Sequence, residues 1–203
     1  MDQLHPVEVR VLGALLEKDL TTPEYYPLTV NALVNACNQK SSRDPVVQYD
    51  ESTVEQALEL LRNKHLAMRV SGSGHRVEKY GHRLGETVNL GRRETALLCV
   101  LMLRGPQTVG ELRGRTERMH EFTDMEEVES VLDSLARREP APLVMRMPRG
   151  RWAHLLGGEP EATPESESEP LHARGPIEER VRTLELEVAE LKQKLEDLLR
   201  ELK

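Results

Sequence analysis

Residues 52–70 read STVEQALELLRNKHLAMRV, and residues 125–146 read MEEVESVLDSLARREPAPLVMR. In the first, Val54, Ala57, Leu58 and Leu61 recur at i, i+3, i+4 and i+7, and in the second Val128, Val131, Leu132 and Leu135 repeat that spacing. Four apolar side chains then share one helix face. Each helix pattern leads into a β-type segment, a turn and another β-type segment. These are LAMRV, SGSGH and RVEKY in the first case and LVMRM, PRG and RWAHL in the second. Upstream, TVNAL (29–33) matches TVGEL (108–112), and VEVRVLGALLEK (7–18) matches RETALLCVLMLR (93–104). The order helix, helix, helix, strand, turn, strand therefore occurs twice, which is the plan of a winged helix-turn-helix. No single piece can bury its apolar face alone, but three helices and a hairpin close one small core. The expected fold class is mainly α with small β-hairpins (α+β): tandem winged-helix domains over 1–88 and 89–157.

Local signals fit these elements. Pro6 suits a first helical turn, and Gly105-Pro106 stops the helix before it. Ser52–Glu55, Thr108–Glu111 and Thr123–Glu126 each have the spacing of a capping box. Glu8 and Glu94 sit in matching first turns, where a carboxylate favours the helix N-terminus. Of the six aromatic residues, Phe122 reads as an anchor before the last helix and Trp152 as a packed strand residue. In TTPEYYPLT, the Tyr25-Tyr26 pair predicts one ring packed on the helices, with a contact patch as the alternative.

Beyond residue 157 the character changes. Residues 158–176 are rich in proline and glutamate with little to bury, so an extended, disordered acidic linker is expected. Residues 177–203 follow a heptad, with Ile177, Leu184, Leu191 and Leu198 at d and Val181, Val188, Leu195 and Leu202 at a. Valine at a with leucine at d favours a parallel two-stranded coiled coil. Arg180 then faces Glu185, and Glu187 faces Lys192, across the seam. These eight apolar residues are the expected dimerisation contacts of a homodimer. The tail covers fewer than four heptads, so it is expected to assist a dimer rather than cause it alone. An amphipathic helix folded onto its own body is the alternative.

The chain has 203 residues and a formal net charge of −7. From Glu159 onward it carries 7 Lys and Arg against 13 Asp and Glu, so the acidity belongs to the tail and the body is close to neutral. No apolar run approaches the ~20 residues that span a bilayer, and MDQLHPVEVR lacks the basic and apolar regions of a secretory signal. A cytoplasmic protein with no membrane partner is expected. Two cysteines 62 positions apart rule out a disulfide scaffold or a cysteine-rich metal site.

The stretches VEVRVLGALLEKDLTTPEYYPLTVNALVNACNQKSSRDPV, SGSGHRVEKYGHRL and LLCVLMLRGPQTVGELRGRTERMHEF, with the final hairpin, resemble the YceH-like family of bacterial proteins of unknown function. The resemblance covers about residues 4–157. It implies tandem winged-helix domains, in line with the repeat, and it implies no activity.

In a winged helix the third helix enters the major groove and the wing touches the backbone. Two basic stretches of the first half make DNA a candidate partner. One is the polar loop with Asn38, Gln39, Lys40 and Arg43, and the other is the hairpin with Arg69, Arg76 and Lys79. Such groups hydrogen-bond base edges or neutralise phosphates. The third helices argue against groove insertion, because their outer positions carry Glu51, Glu55 and Glu59 in one half and Glu126, Glu127, Glu129 and Asp133 in the other. Two readings stand: a dimeric DNA-binding or transcription-associated protein, and a non-enzymatic scaffold that docks protein partners through its acidic faces. An enzyme is not expected. GSGH at 72–75 lacks a phosphate-loop context. The seven histidines show no metal-ligand spacing, and Cys37 and Cys99 lie in apolar helix patterns that suit core residues. No cofactor or metal is expected.

Overall fold

The structure, a computed structural model, describes residues 3–70 and 77–160. The heptad residues, the hairpin turn with Arg76, and most of the linker lie outside them. The first half contains α1 (Pro6–Thr21), α2 (Val30–Cys37), α3 (Glu51–Asn63), β1 (Ala67–Val70) and β2 (Lys79–His82). A short helix, α4 (Leu84–Thr87), leads into the second half, with α5 (Arg92–Arg104), β3 (Gln107–Thr108), α6 (Val109–Thr116), α7 (Met125–Ala136), β4 (Val144–Arg146) and β5 (Arg151–His154). The protein is thus mixed α and β with small antiparallel sheets. None of the described helices is long and apolar enough to cross a membrane.

The apolar periodicity does what its spacing predicts. Val54, Ala57, Leu58 and Leu61 are buried on α3, and Val128, Val131, Leu132 and Leu135 are buried on α7. The caps differ in detail. Thr108 and Glu111 form the expected box, and His5 and Glu8 form another that the sequence reading missed. The caps of α3 and α7 are Asp50 and Asp124, whose carboxylates accept from the amides of Thr53 and Glu127 at 2.8 Å. Ser52 and Thr123 are therefore not the caps. An aspartate in extended backbone just before the helix supplies the same acceptor, two residues before Ser52 in one case and one residue after Thr123 in the other.

The hairpin of the first half also sits later than its sequence pattern. Ala67 pairs with His82 and Val70 with Lys79, so the second strand is 79–82 rather than 76–80. Each half adds one more strand contact. β3 pairs with β5, Gln107 opposite Trp152, and in the first half Leu28 bridges Tyr80 in the same antiparallel sense. Both contacts immediately precede the threonine that caps the second helix, Thr29 or Thr108. The repeat therefore extends to a third strand position.

The two halves bury one common core. Its seam is the crossing of α1 and α5. A Cβ on Gly13 would stand 3.0 Å from Leu103 Cδ2 and 3.2 Å from Met102 Cβ, so the helices approach where a side chain is missing. The Cys99 thiol donates to the Gly13 carbonyl at 3.5 Å there. Backbone bonds from Asp44 N to Leu103 O and from Leu4 N to Leu156 O also tie the halves together.

Candidate binding surfaces

The α2–α3 loop is the first basic stretch. Its geometry starts from Glu17, near the end of α1, and from the last carbonyls of α2. Arg43 turns inward between them. Its side chain has no exposed surface, and its guanidinium donates to both Glu17 carboxylate oxygens, at 3.0 and 2.6 Å. It also donates to the carbonyls of Ala36 and Ser42 and to Gln39 Oε1. Burial pushes the Glu17 carboxyl up, but the hydrogen bond and charge of Arg43 outweigh it and hold the group below its ordinary value. Asn38 closes the other end of the loop. Its amide donates to the Tyr49 carbonyl and its oxygen accepts from the Tyr49 amide, both at 2.8 Å.

Asn38, Gln39 and Arg43 thus form an internal network, in contrast to the outward orientation expected of phosphate or base contacts. An arginine can satisfy several acceptors at once through its five donors, and the loop uses that capacity on itself. Lys40 is exposed and has no hydrogen-bond or ion-pair partner among the described residues. In the hairpin, Arg69 is paired with Glu78 at 2.5 Å, while Lys79 is half-buried and has no such partner among the described residues. Arg76 lies outside the described residues. Among the described residues, the structure therefore does not bring the other six sequence candidates together as one solvent-facing set.

The third helices present a different surface. On α3, Glu51, Glu55, Gln56 and Glu59 are exposed around Leu60, which is 49% exposed. Glu59 is paired with Arg62. Next to this helix in sequence, Met68 on β1 is 41% exposed. On α7, Glu126 and Glu129 are exposed with Met125, while Asp133 is paired with Arg137 at 2.7 Å. Glu127 accepts from Arg93 and from the Thr123 amide, so it serves the helix start.

Other residues singled out by the sequence are structural. Tyr26 is half-buried and its hydroxyl accepts from the His82 amide at 2.6 Å, whereas Tyr25 is 73% exposed. Phe122 is buried and meets the His120 ring edge-on at 4.6 Å. Trp152 is buried, with Arg146 6.0 Å from its ring centre. Glu8 is buried and takes Lys64 at 2.7 Å, a partner 56 positions away that no sequence pattern marks. Cys37 and Cys99 are both buried, and burial pushes the Cys37 thiol up to about 12 and raises that of Cys99 as well. Such thiols do not ionise near neutral pH. Among the described residues no group of three or more His, Cys, Asp or Glu could hold a metal ion.

Residues 4–151 match the family model described as a protein of unknown function, DUF480. A UPF0502 protein of Opitutus terrae is 54% identical over 195 residues, covering 93% of this chain and 83% of the relative. One of Solibacter usitatus is 53% identical over 204 residues, covering 98% and 97%. Another, of Geobacter sulfurreducens, is 54% identical over 198 residues, covering 93% and 90%. The resemblance drawn from the sequence is thus met at the level of a family of unknown function. That family goes by the names DUF480 and UPF0502.

Proposed function

We propose, from the premise that the chain belongs to the DUF480 family of proteins of unknown function, that it is a non-enzymatic tandem winged-helix scaffold. It docks a basic partner protein through the outer faces of α3 and α7. The observation that carries this reading is the charge on those faces. Glu51, Glu55 and Glu59 on one and Glu126 and Glu129 on the other stand where a groove-reading helix would meet phosphates. Carboxylates at those positions repel a duplex and attract cationic side chains. Leu60 and Met68 add apolar area for a partner side chain to cover. The heptad of Ile177, Val181, Leu184, Val188, Leu191, Leu195, Leu198 and Leu202 would join two such bodies in a cytoplasmic homodimer.

Binding of DNA is the second reading, favoured by the doubled helix-helix-helix-hairpin order and by the ammonium groups of Lys40 and Lys79, which have no partner among the described residues. Titration of the full chain with a basic amphipathic peptide at low salt separates the two. Saturable amide shifts at Gln56, Leu60 and Glu129, abolished in the double variant Glu55→Lys/Glu59→Lys, are expected. Tight binding of a genomic duplex that weakens on Lys40→Gln and Lys79→Gln, with no response to the peptide, would replace docking by the DNA reading.

A further inference from the structure

A pocket of about 200 Å³ opens where the end of α1, the α2–α3 loop, the end of α5 and α6 converge. Four cations from three helices and the turn after α6 line it: Lys18, Arg104, Arg115 and Arg118. Ser41 and Ser42, of the α2–α3 loop, also line it. Its one carboxylate, Glu17, is already bound by Arg43 and lies 3.5 Å from Lys18. Arg115 has only a looser contact with Glu111, at 3.4 Å, and both side chains are about one-third exposed. The guanidinia of Arg104 and Arg118 have no hydrogen-bond or carboxylate partner among the described residues, although Arg104 is half-buried.

This is an unbalanced arrangement. Burial first, then the positive charge of Arg115 and Arg43, lowers the Arg104 guanidinium from its ordinary value. Like charges that converge on one pocket repel unless a counter-charge joins them. The C-termini of α1 and α5 supply part of one, since cations are favourable near a helix C-terminus. Lys18 and Arg104 fall in those last turns. Arg115 and Arg118 come from α6 and the turn after it, so the helix ends do not account for them.

We propose that this pocket binds a phosphoryl group, with Arg104, Arg115 and Arg118 as its charged donors and the Ser41 and Ser42 hydroxyls beside them. Guanidinium forks match tetrahedral oxyanions through paired, charge-assisted hydrogen bonds. A volume of about 200 Å³ is below the roughly 300–1,000 Å³ typical of drug-sized ligands. It suits inorganic phosphate or the phosphoryl end of a small phosphomonoester. The pocket is distinct from the α3 and α7 faces, so the proposal does not depend on what those faces dock. A ligand there would touch the α2–α3 loop, α5 and α6 together and so bridge both halves of the body.

Calorimetric titration of the full chain with inorganic phosphate, a small phosphomonoester and a short DNA duplex tests this. Saturable 1:1 binding of phosphate or the monoester is expected. Arg118→Gln, an exposed position, should weaken it about tenfold, the size of one charge-assisted contact. Arg104→Gln should do at least as much, and Lys40→Gln should change nothing. No saturable phosphate binding overturns the proposal, as does binding that ignores Arg118. Duplex binding that needs Arg118, with no response to either small ligand, overturns it in favour of a backbone contact.

Discussion

The two halves of the body have the same element order, yet they fasten the segment between their second and third helices by different means. In the first half that segment, residues 38–50, is held by charge. Arg43 reaches from it into the interior to Glu17, and Asn38 clamps Tyr49. In the second half, residues 117–124 are held by an apolar plug and by arginines arriving from outside the segment. Phe122 is buried, Arg113 donates to the Phe122 and Thr123 carbonyls, and Arg92 donates to Met119 O. The lesson is that a basic residue in a polar loop can be the loop's own fastener. Positive charge in sequence is not positive surface.

Breaking each fastener should have the largest effect and a different signature. Arg43→Ala strands a largely buried Glu17 carboxylate, and the expected cost is about 3–5 kcal/mol in urea unfolding. Phe122→Ala should cost a similar amount, about 3–5 kcal/mol, through a cavity. The two separate on rescue. Replacing both Glu17 and Arg43 by methionine should recover much of the first loss, because an apolar pair avoids the desolvation penalty. No change at Phe122's partners should repay the lost ring. If Arg43→Ala unfolds with the midpoint of the parent chain, the charged fastener is not what holds the loop.

A smaller effect is expected from Asn38→Ala, which removes one side-chain donor and one acceptor and leaves the Tyr49 backbone groups half-buried. A loss of about 1–3 kcal/mol is expected, read from the same unfolding curves.

Acid should sharpen the comparison further. Burial lowers His154, on β5 of the second half, from 6.5 to about 4. The unfolded chain then takes up a proton that the folded chain refuses, so stability falls as pH drops from 6.5 toward 4. In the first half, Glu17 has a folded value below its ordinary 4.5. Its contribution is present above that ordinary value and is lost as pH falls through the folded one. His154→Gln should flatten the upper part of the stability profile, and Glu17→Gln the part below about 4.5. A profile left unchanged by both variants would contradict these assignments.

Much of the fold was legible because burial imposes a period. Every residue placed on the inner faces of α3 and α7 is buried, and the strands fall within a few residues of their patterns. Two kinds of feature were not legible. β3 is two residues long and Leu28–Tyr80 is a single bridge, so neither carries a period. The inward turn of Arg43 depends on Glu17, 26 positions away, and a one-dimensional reading has no signal for that pairing, because Glu17 stands in a charged run, Glu17-Lys18-Asp19, at the end of α1. The acidic character of the third-helix faces was legible, because it follows from the same period that gave the core. Lys18, Arg104 and Arg118 were invisible as a set, since they meet only when α1, α5 and the turn after α6 converge.

The central claim is that the outer face of α3 meets protein rather than nucleic acid. A photo-crosslinking residue placed at Gln56, which is exposed between Glu55 and Glu59, tests it in the full chain inside living cells. A discrete protein adduct that disappears when Glu55 and Glu59 are reversed to lysine is the expected result. Adducts that are instead digested by nuclease, and that survive or grow on charge reversal, would contradict the account.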